Sequence, residues 1–351
     1  MIRDPLGISS EMVLNRESFL LLSLIDGEEK IENIKSKFLR NTGIILSDIE
    51  IISFIRKMEK NYIFLDENFY KKIEEEKKKI EEMPFKEIDI RFDFEKVKRE
   101  IEKIDFKNAQ ELKGIIVPHI DINVAFDTYL KSYSFIKNLN KKIFLIFGVP
   151  HFYSESVFSV FKKNCKIGNK IIRIEERIIE NLRNTFGSQI FNDVIAFKNE
   201  HSVEFPLLFL SALKEDFYVI LSLISKGSVD ELRKIAEGIF NSIKPFIDDI
   251  FLISSIDLSH VGRKFGDPEI FDTTQVDLKY IEHLKNMENE EAFKFLEENN
   301  NFTKIDGIYT NFLFLEILKL MGAKKGEIVD YKIYHEEVTS SIVSYTSIIF
   351  K

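Results

Sequence analysis

The sequence predicts an α/β protein, a mostly parallel sheet flanked by helices and preceded by a small winged-helix-like N-terminal domain. Three observations lead there. Residues 1–70 carry their apolar side chains at helical spacing. From Leu112 onward, short continuous apolar runs alternate with helical stretches, the pattern of strands buried on both faces. The chain has 351 residues, more than one core usually organises, so more than one domain is expected.

In chain order, Glu17–Ile25 reads as a helix stopped at Asp26-Gly27, and Glu28–Leu39 as a second with Ile31, Ile34 and Phe38 on one face. Ser47–Lys60 is a third, opened by Ser47 with Glu50 three residues on, a capping-box spacing. Tyr62-Ile63-Phe64-Leu65 looks like a short strand, and three helices followed by a strand suggest the winged-helix-like unit. Lys71–Glu82 pairs Glu74-Glu75-Glu76 with Lys77-Lys78-Lys79 at helical spacing, so residues 71–110 are expected to be a charged helical connector that starts out solvated, with Pro84 as a stop. The α/β domain is then 111–351. Its clearest strands are Gly114–Val117, Ile143–Phe147, Phe217–Ile224, Phe251–Ile253 and the last run Ser341–Phe350. Tyr129–Leu139, Val229–Ile243, Phe271–Glu298 and Ile308–Met321 supply amphipathic helical material between them.

Composition narrows the function classes. The formal charge is −8, so neither nucleic acid nor an anionic membrane surface is favoured as a partner. Residues 1–70 hold no concentrated basic face, which leaves nucleic-acid binding by that unit as a weak third reading. No apolar run reaches the length of a membrane span, and Met1–Asn15 lack the layout of a signal peptide, so a cytoplasmic protein is expected. The single cysteine, Cys165, excludes an intramolecular disulfide and a cysteine-rich zinc site, and reads as a small buried apolar residue.

Three of the six histidines fall just beyond strands: Pro118-His119, Gly148-Val149-Pro150-His151, and His260 at the end of Ser254-Ser255-Ile256-Asp257-Leu258-Ser259-His260. Ligands of open parallel sheets bind outside the carboxyl ends of the strands, so three such placements point to a site. His201, in Glu200-His201-Ser202-Val203-Glu204, opens a helix, with Glu200 or Glu204 placed to orient its ring. His283 and His335 read as surface residues. Imidazoles alone suit zinc, copper or iron, and a carboxylate would complete a two-histidine, one-carboxylate iron site. Asp121, Asp257 and Asp306 are available, although Asp306-Gly307 ahead of a helix reads locally as an N-cap.

Taken in order, these motifs, with Ser255-Ile256-Asp257-Leu258-Ser259-His260-Val261-Gly262 and Phe265-Gly266-Asp267-Pro268, resemble the Memo family over roughly Gly114–Phe350. The likeness is to its long prokaryotic branch, called AmmeMemoRadiSam system protein B, which tends to carry an extra N-terminal unit. The family's fold resembles the class III extradiol dioxygenases (LigB-like), which hold non-haem iron with two histidines and a glutamate. Memo proteins place two histidines and a cysteine at the matching positions. Carried over, His119 and His151 are the metal histidines, His260 matches the dioxygenase acid/base, and Asp257 and His201 match further pocket positions. The family's Ile-Cys-Gly motif reads Ile305-Asp306-Gly307 here, so the resemblance makes Asp306 the third ligand. A carboxylate in place of a thiolate shifts the preferred metal toward iron(II) or manganese, with copper and zinc as further options. The resemblance thus implies a metal-dependent, dioxygenase-like oxidoreductase with a small-molecule or peptide substrate. Implied partners are a radical SAM enzyme and an AMMECR-type protein. A non-catalytic scaffold that binds peptide or ligand in the same pocket is the competing expectation.

Overall fold

A computed structural model describes residues 4, 6–88, 94–104, 109, 111–152 and 154–351. The chain divides into two units, Met1–Met83 and Pro84–Lys351. The dividing point falls within the 71–110 stretch expected as a connector.

The first unit contains α1 (Arg16–Ser23), α2 (Ile31–Thr42), α3 (Asp48–Lys60) and α4 (Glu67–Glu82). Each start has a local cause: Asn15 and Asp66 side chains cap α1 and α4, and Ser47 with Glu50 forms the expected capping box of α3. Leu21, Ile34, Phe38 and Ile51 form its core. The strand expected at Tyr62–Leu65 is absent, and among the described residues this unit has no strand. The apolar run closes α3 instead: Tyr62 takes a left-handed φ of 58°, and the amides of Tyr62 and Ile63 return to the carbonyls of Glu59 and Met58. The charged run is helical, as α4, and ion pairs such as Lys71 with Glu67 and Lys72 with Glu75 lie along it.

Among the described residues, the second unit is built on an 11-stranded sheet. Its elements are β1 (Lys86–Glu87), α5 (Phe94–Glu102), β2 (Gly114–Val117), α6 (Ile122–Tyr133), β3 (Ile143–Gly148), β4 (Phe158–Phe161), β5 (Cys165–Ile167), β6 (Lys170–Ile174), α7 (Glu176–Phe186), α8 (His201–Leu213), β7 (Tyr218–Ile224), α9 (Val229–Ile243), β8 (Ile250–Ser255), β9 (His260–Gly262), α10 (Thr274–Lys285), α11 (Asn289–Glu298), α12 (Ile308–Leu320), β10 (Gly326–Glu336) and β11 (Ser341–Phe350). The strand order is β1-β5-β6-β7-β3-β8-β2-β11-β10, with β4 on β7 and β9 on β11. The pairs β6–β7, β7–β3, β3–β8 and β8–β2 are parallel, and β11 closes against β2 antiparallel.

The central strands β2, β3 and β8 are buried along their whole length. Helices α6 and α8 pack on one side of them, and α12 backed by α9 on the other. The single helical stretch expected over Phe271–Glu298 is two helices, α10 and α11, parted at Met287 with a φ of 62°. Because β2, β3 and β8 run parallel and adjacent, the residues after Val117, Gly148 and Ser255 emerge side by side at one edge.

Candidate metal centre

Each side chain of the cluster is placed by a strand end or a helix start. Gly148 ends β3 against the first turn of α8; a Cβ there would sit 2.4 Å from Ser202 Oγ, so only glycine allows the approach. Ser202 Oγ fastens the junction, donating to the Val149 carbonyl at 2.9 Å and accepting from its amide at 3.1 Å. On the other side, Gly307 lets the start of α12 lie on Ile256, where an added Cβ would come within 2.4 Å of Cγ2.

The side chains of His119, His151 and Asp306 converge. His119 is buried, and its Nδ1 donates to the Ser255 carbonyl at 3.1 Å. A carbonyl only accepts, so the Nδ1 proton is fixed and Nε2 is left to face Asp306 Oδ2 at 2.9 Å. His151 Nδ1 donates to Glu200 Oε1 at 2.9 Å, and its Nε2 lies 3.8 Å from the same Asp306 oxygen. Asp306 Oδ1 accepts the Asp257 amide at 3.1 Å. Asp306 does not cap α12: Gly307 holds the N-cap position, with no side-chain cap bond. His201, the first residue of α8, offers a further nitrogen; donor atoms of His119, His151 and His201 lie within 4.8 Å of one another, a group able to hold a metal ion.

The surrounding carboxylates set the charge. Glu200 is wholly buried and also accepts the amides of His151 at 2.9 Å and Ser202 at 3.0 Å. Burial would raise its pKa, but His151 outweighs that and holds it at about 2. Burial works against protonation of His151 too, yet Asp306 and Glu200 carry it up to about 10. His119 is raised by Asp257 and Asp306 against its own burial. His201 goes the other way: burial, then the neighbouring His119 and His151, push it down to about 3, so this ring stays neutral. Asp257 is buried and accepts the His119 amide at 3.0 Å. Burial raises Asp257, while the histidines overcome the burial of Asp306 and hold it well below the usual carboxylate range.

His260 stands beside this group at the start of β9. Its Nδ1 donates to the carbonyls of Leu258 at 2.9 Å and Lys304 at 3.2 Å, which leaves Nε2 open. It lies close enough to be among the groups that favour ionised Asp257 and Asp306. Asp121 is not brought in: it caps α6 by accepting the Asn123 amide at 2.7 Å. Cys165 is buried in β5, its thiol pushed up to about 12 by that burial. His283 pairs with Glu288 at 2.8 Å. Glu200 orients His151, whereas the sequence pairs it most naturally with His201. The signal was its N-cap position: glutamate is not a favoured capping residue, so a second use for the carboxylate was implied.

A family model for Memo-like proteins matches residues 91–349. A MEMO1 family protein of Aquifex aeolicus is 38% identical over 100% of this chain and 95% of its own length. One from Methanobrevibacter smithii is 29% identical over 68% of this chain and 83% of its own. One from Thermus thermophilus is 31% identical over 44% of this chain and 46% of its own.

Proposed function

The chain belongs to the Memo family, and from that premise we propose a metal-dependent oxidoreductase whose iron-type ion is held by His119, His151 and Asp306. One observation carries the reading. A single carboxylate oxygen faces two imidazole nitrogens at 2.9 and 3.8 Å, and the far nitrogen of each ring is already donating. Nitrogens fixed in that way are ready to ligate, and a carboxylate beyond a ligand histidine makes it a better donor. Two histidines and one carboxylate with open positions suit iron(II), ahead of manganese, copper or zinc. Such an ion, when bound, supplies Lewis acidity and a one-electron couple.

The chain's own groups divide the remaining work. Glu200 and the Ser255 carbonyl hold the two rings in the ligating tautomer. His260 moves a proton at Nε2, because its Nδ1 is committed to two carbonyls. Neutral His201 faces the same space as an uncharged hydrogen-bonding ring, and Asp257 fixes the His119 backbone. The proposal extends to a small-molecule or peptide substrate and to work alongside a radical SAM enzyme and an AMMECR-type protein. No described helix is long and apolar enough to cross a membrane, and we place this chemistry in the cytoplasm.

A second reading makes His201 the third ligand in place of Asp306, since its nitrogen lies within 4.8 Å of the other two. Metal analysis of anaerobically purified protein separates the two. We expect one iron per chain, iron affinity reduced about 100-fold by Asp306→Asn and little changed by His201→Gln. Asp306→Cys is expected to shift preference toward copper or zinc. If Asp306→Asn binds iron as tightly as the parent, the assignment of Asp306 is wrong; if His201→Gln abolishes binding, the second reading replaces it.

A further inference from the structure

The chain between α11 and Asp306 is bent by three non-glycine residues in the left-handed region, Asn300 (φ 52°), Asn301 (φ 41°) and Lys304 (φ 58°). Asparagine tolerates that conformation through local hydrogen bonds, and Asn301 makes them, accepting the Ile305 amide at 3.0 Å and donating to its carbonyl at 2.7 Å. Lysine has no such means, so its surroundings must hold it there. Lys304 Nζ reaches both oxygens of Asp267, each at 2.7 Å. Asp267 is fixed in turn: its Oδ2 accepts the Gly262 amide at 3.1 Å, and its own amide donates to the Gly262 carbonyl at 3.1 Å. The same turn receives His260, whose amide donates to the Thr303 carbonyl at 2.7 Å and whose Nδ1 donates to that of Lys304 at 3.2 Å.

The loop after β8 and the arm that delivers Asp306 are therefore laced together two residues before the carboxylate. We propose that Lys304 and Asp267 are the positioning pair of the third metal ligand, their ion pair holding the left-handed turn that aims Asp306 at His119 and His151. The inference rests on the reading of Asp306 as a ligand. The pair touches neither the ion nor a substrate; it acts through the backbone of 304–306. With Lys304 39% and Asp267 20% exposed, salt reaches it.

The test uses the full chain loaded anaerobically with iron(II), which is then withdrawn by ferrozine, with the melting temperature of each metal-free protein measured in parallel. Lys304→Met and Asp267→Asn should each speed iron withdrawal about 10-fold, the usual scale for a partner behind a ligand. The double variant should be no faster than either single one, because both remove the same contact. Lys304→Arg, which keeps a two-pronged pair with a carboxylate, should restore the parent rate. Rising salt should speed withdrawal from the parent and not from Lys304→Met. A merely structural role would lower the melting temperature and leave the withdrawal rate unmoved. Parent-like rates in both single variants overturn the positioning pair while leaving Asp306 as a ligand. A parent protein that takes up no iron overturns both, and the two failures are distinct.

Discussion

Asp306 Oδ2 faces two imidazole nitrogens, and the far nitrogen of each ring already donates to another group. Without a metal, the carboxylates favour protons on the near nitrogens, and His119 and His151 are both raised. A metal replaces those protons. Calorimetry in buffers of different ionisation enthalpy should therefore report at least one proton, that of His151, released per ion bound at neutral pH. The same groups give the metal-free protein a defined pH dependence. His151 is held at about 10 against an ordinary 6.5, so its contribution to stability is complete below 6.5 and is lost as pH rises through about 10. Glu200, held at about 2 against 4.5, contributes above 4.5 and loses that contribution only as pH falls through about 2. The metal-free protein should lose stability from neutral pH upward, by at most about 1.4 kcal/mol per pH unit for each such proton. Melting curves across that range would show the slope; His151→Gln should flatten it, and bound metal should remove the part due to His151. Glu200→Gln keeps an acceptor for the His151 ring but not the charge, and should weaken metal binding about 10-fold or more.

At the scale of elements, the site depends on two close approaches that only glycine permits. Gly307→Ala would drive a Cβ to 2.4 Å from Ile256 Cγ2, lifting the start of α12 and Asp306 with it. Overpacking of this kind costs about 1–3 kcal/mol, and the melting temperature and metal affinity should fall together. Ile256→Ala in the same chain should return the affinity, which separates displacement of Asp306 from general damage. The elements that carry the histidines were legible in the sequence because β2, β3 and β8 are buried on both faces and must be continuously apolar. The strands β5, β6 and β10 place lysine, arginine and glutamate outward or at edges, so their runs are broken and gave no signal. Tyr62–Leu65 misled for the opposite reason: a short apolar run serves a helix stop as well as a strand. Asp306 misled locally, since its position before α12 fits a cap; the cap position went to Gly307, and the carboxylate turned inward to the histidines.

For the whole molecule, the residues matched by the family model, 91–349, lie inside the second unit, Pro84–Lys351, together with every member of the cluster. A chain beginning at Pro84 is therefore expected to bind iron with the affinity of the full protein, as equilibrium dialysis of the two would show. A loss of more than about 10-fold, well over 1 kcal/mol, would make the first unit part of the centre's support. His119 and Asp306 stand 187 residues apart, and His151 and Glu200 49 apart. Synthesis runs from the N-terminus, so His119 and His151 leave the ribosome long before Asp306 exists. An unfolded polypeptide with its donors so far apart would be a poor competitor for an ion placed between them. An ion held by His119, His151 and Asp306 would enter a finished pocket late in the protein's assembly, and nearly all of its binding free energy would go to the folded state.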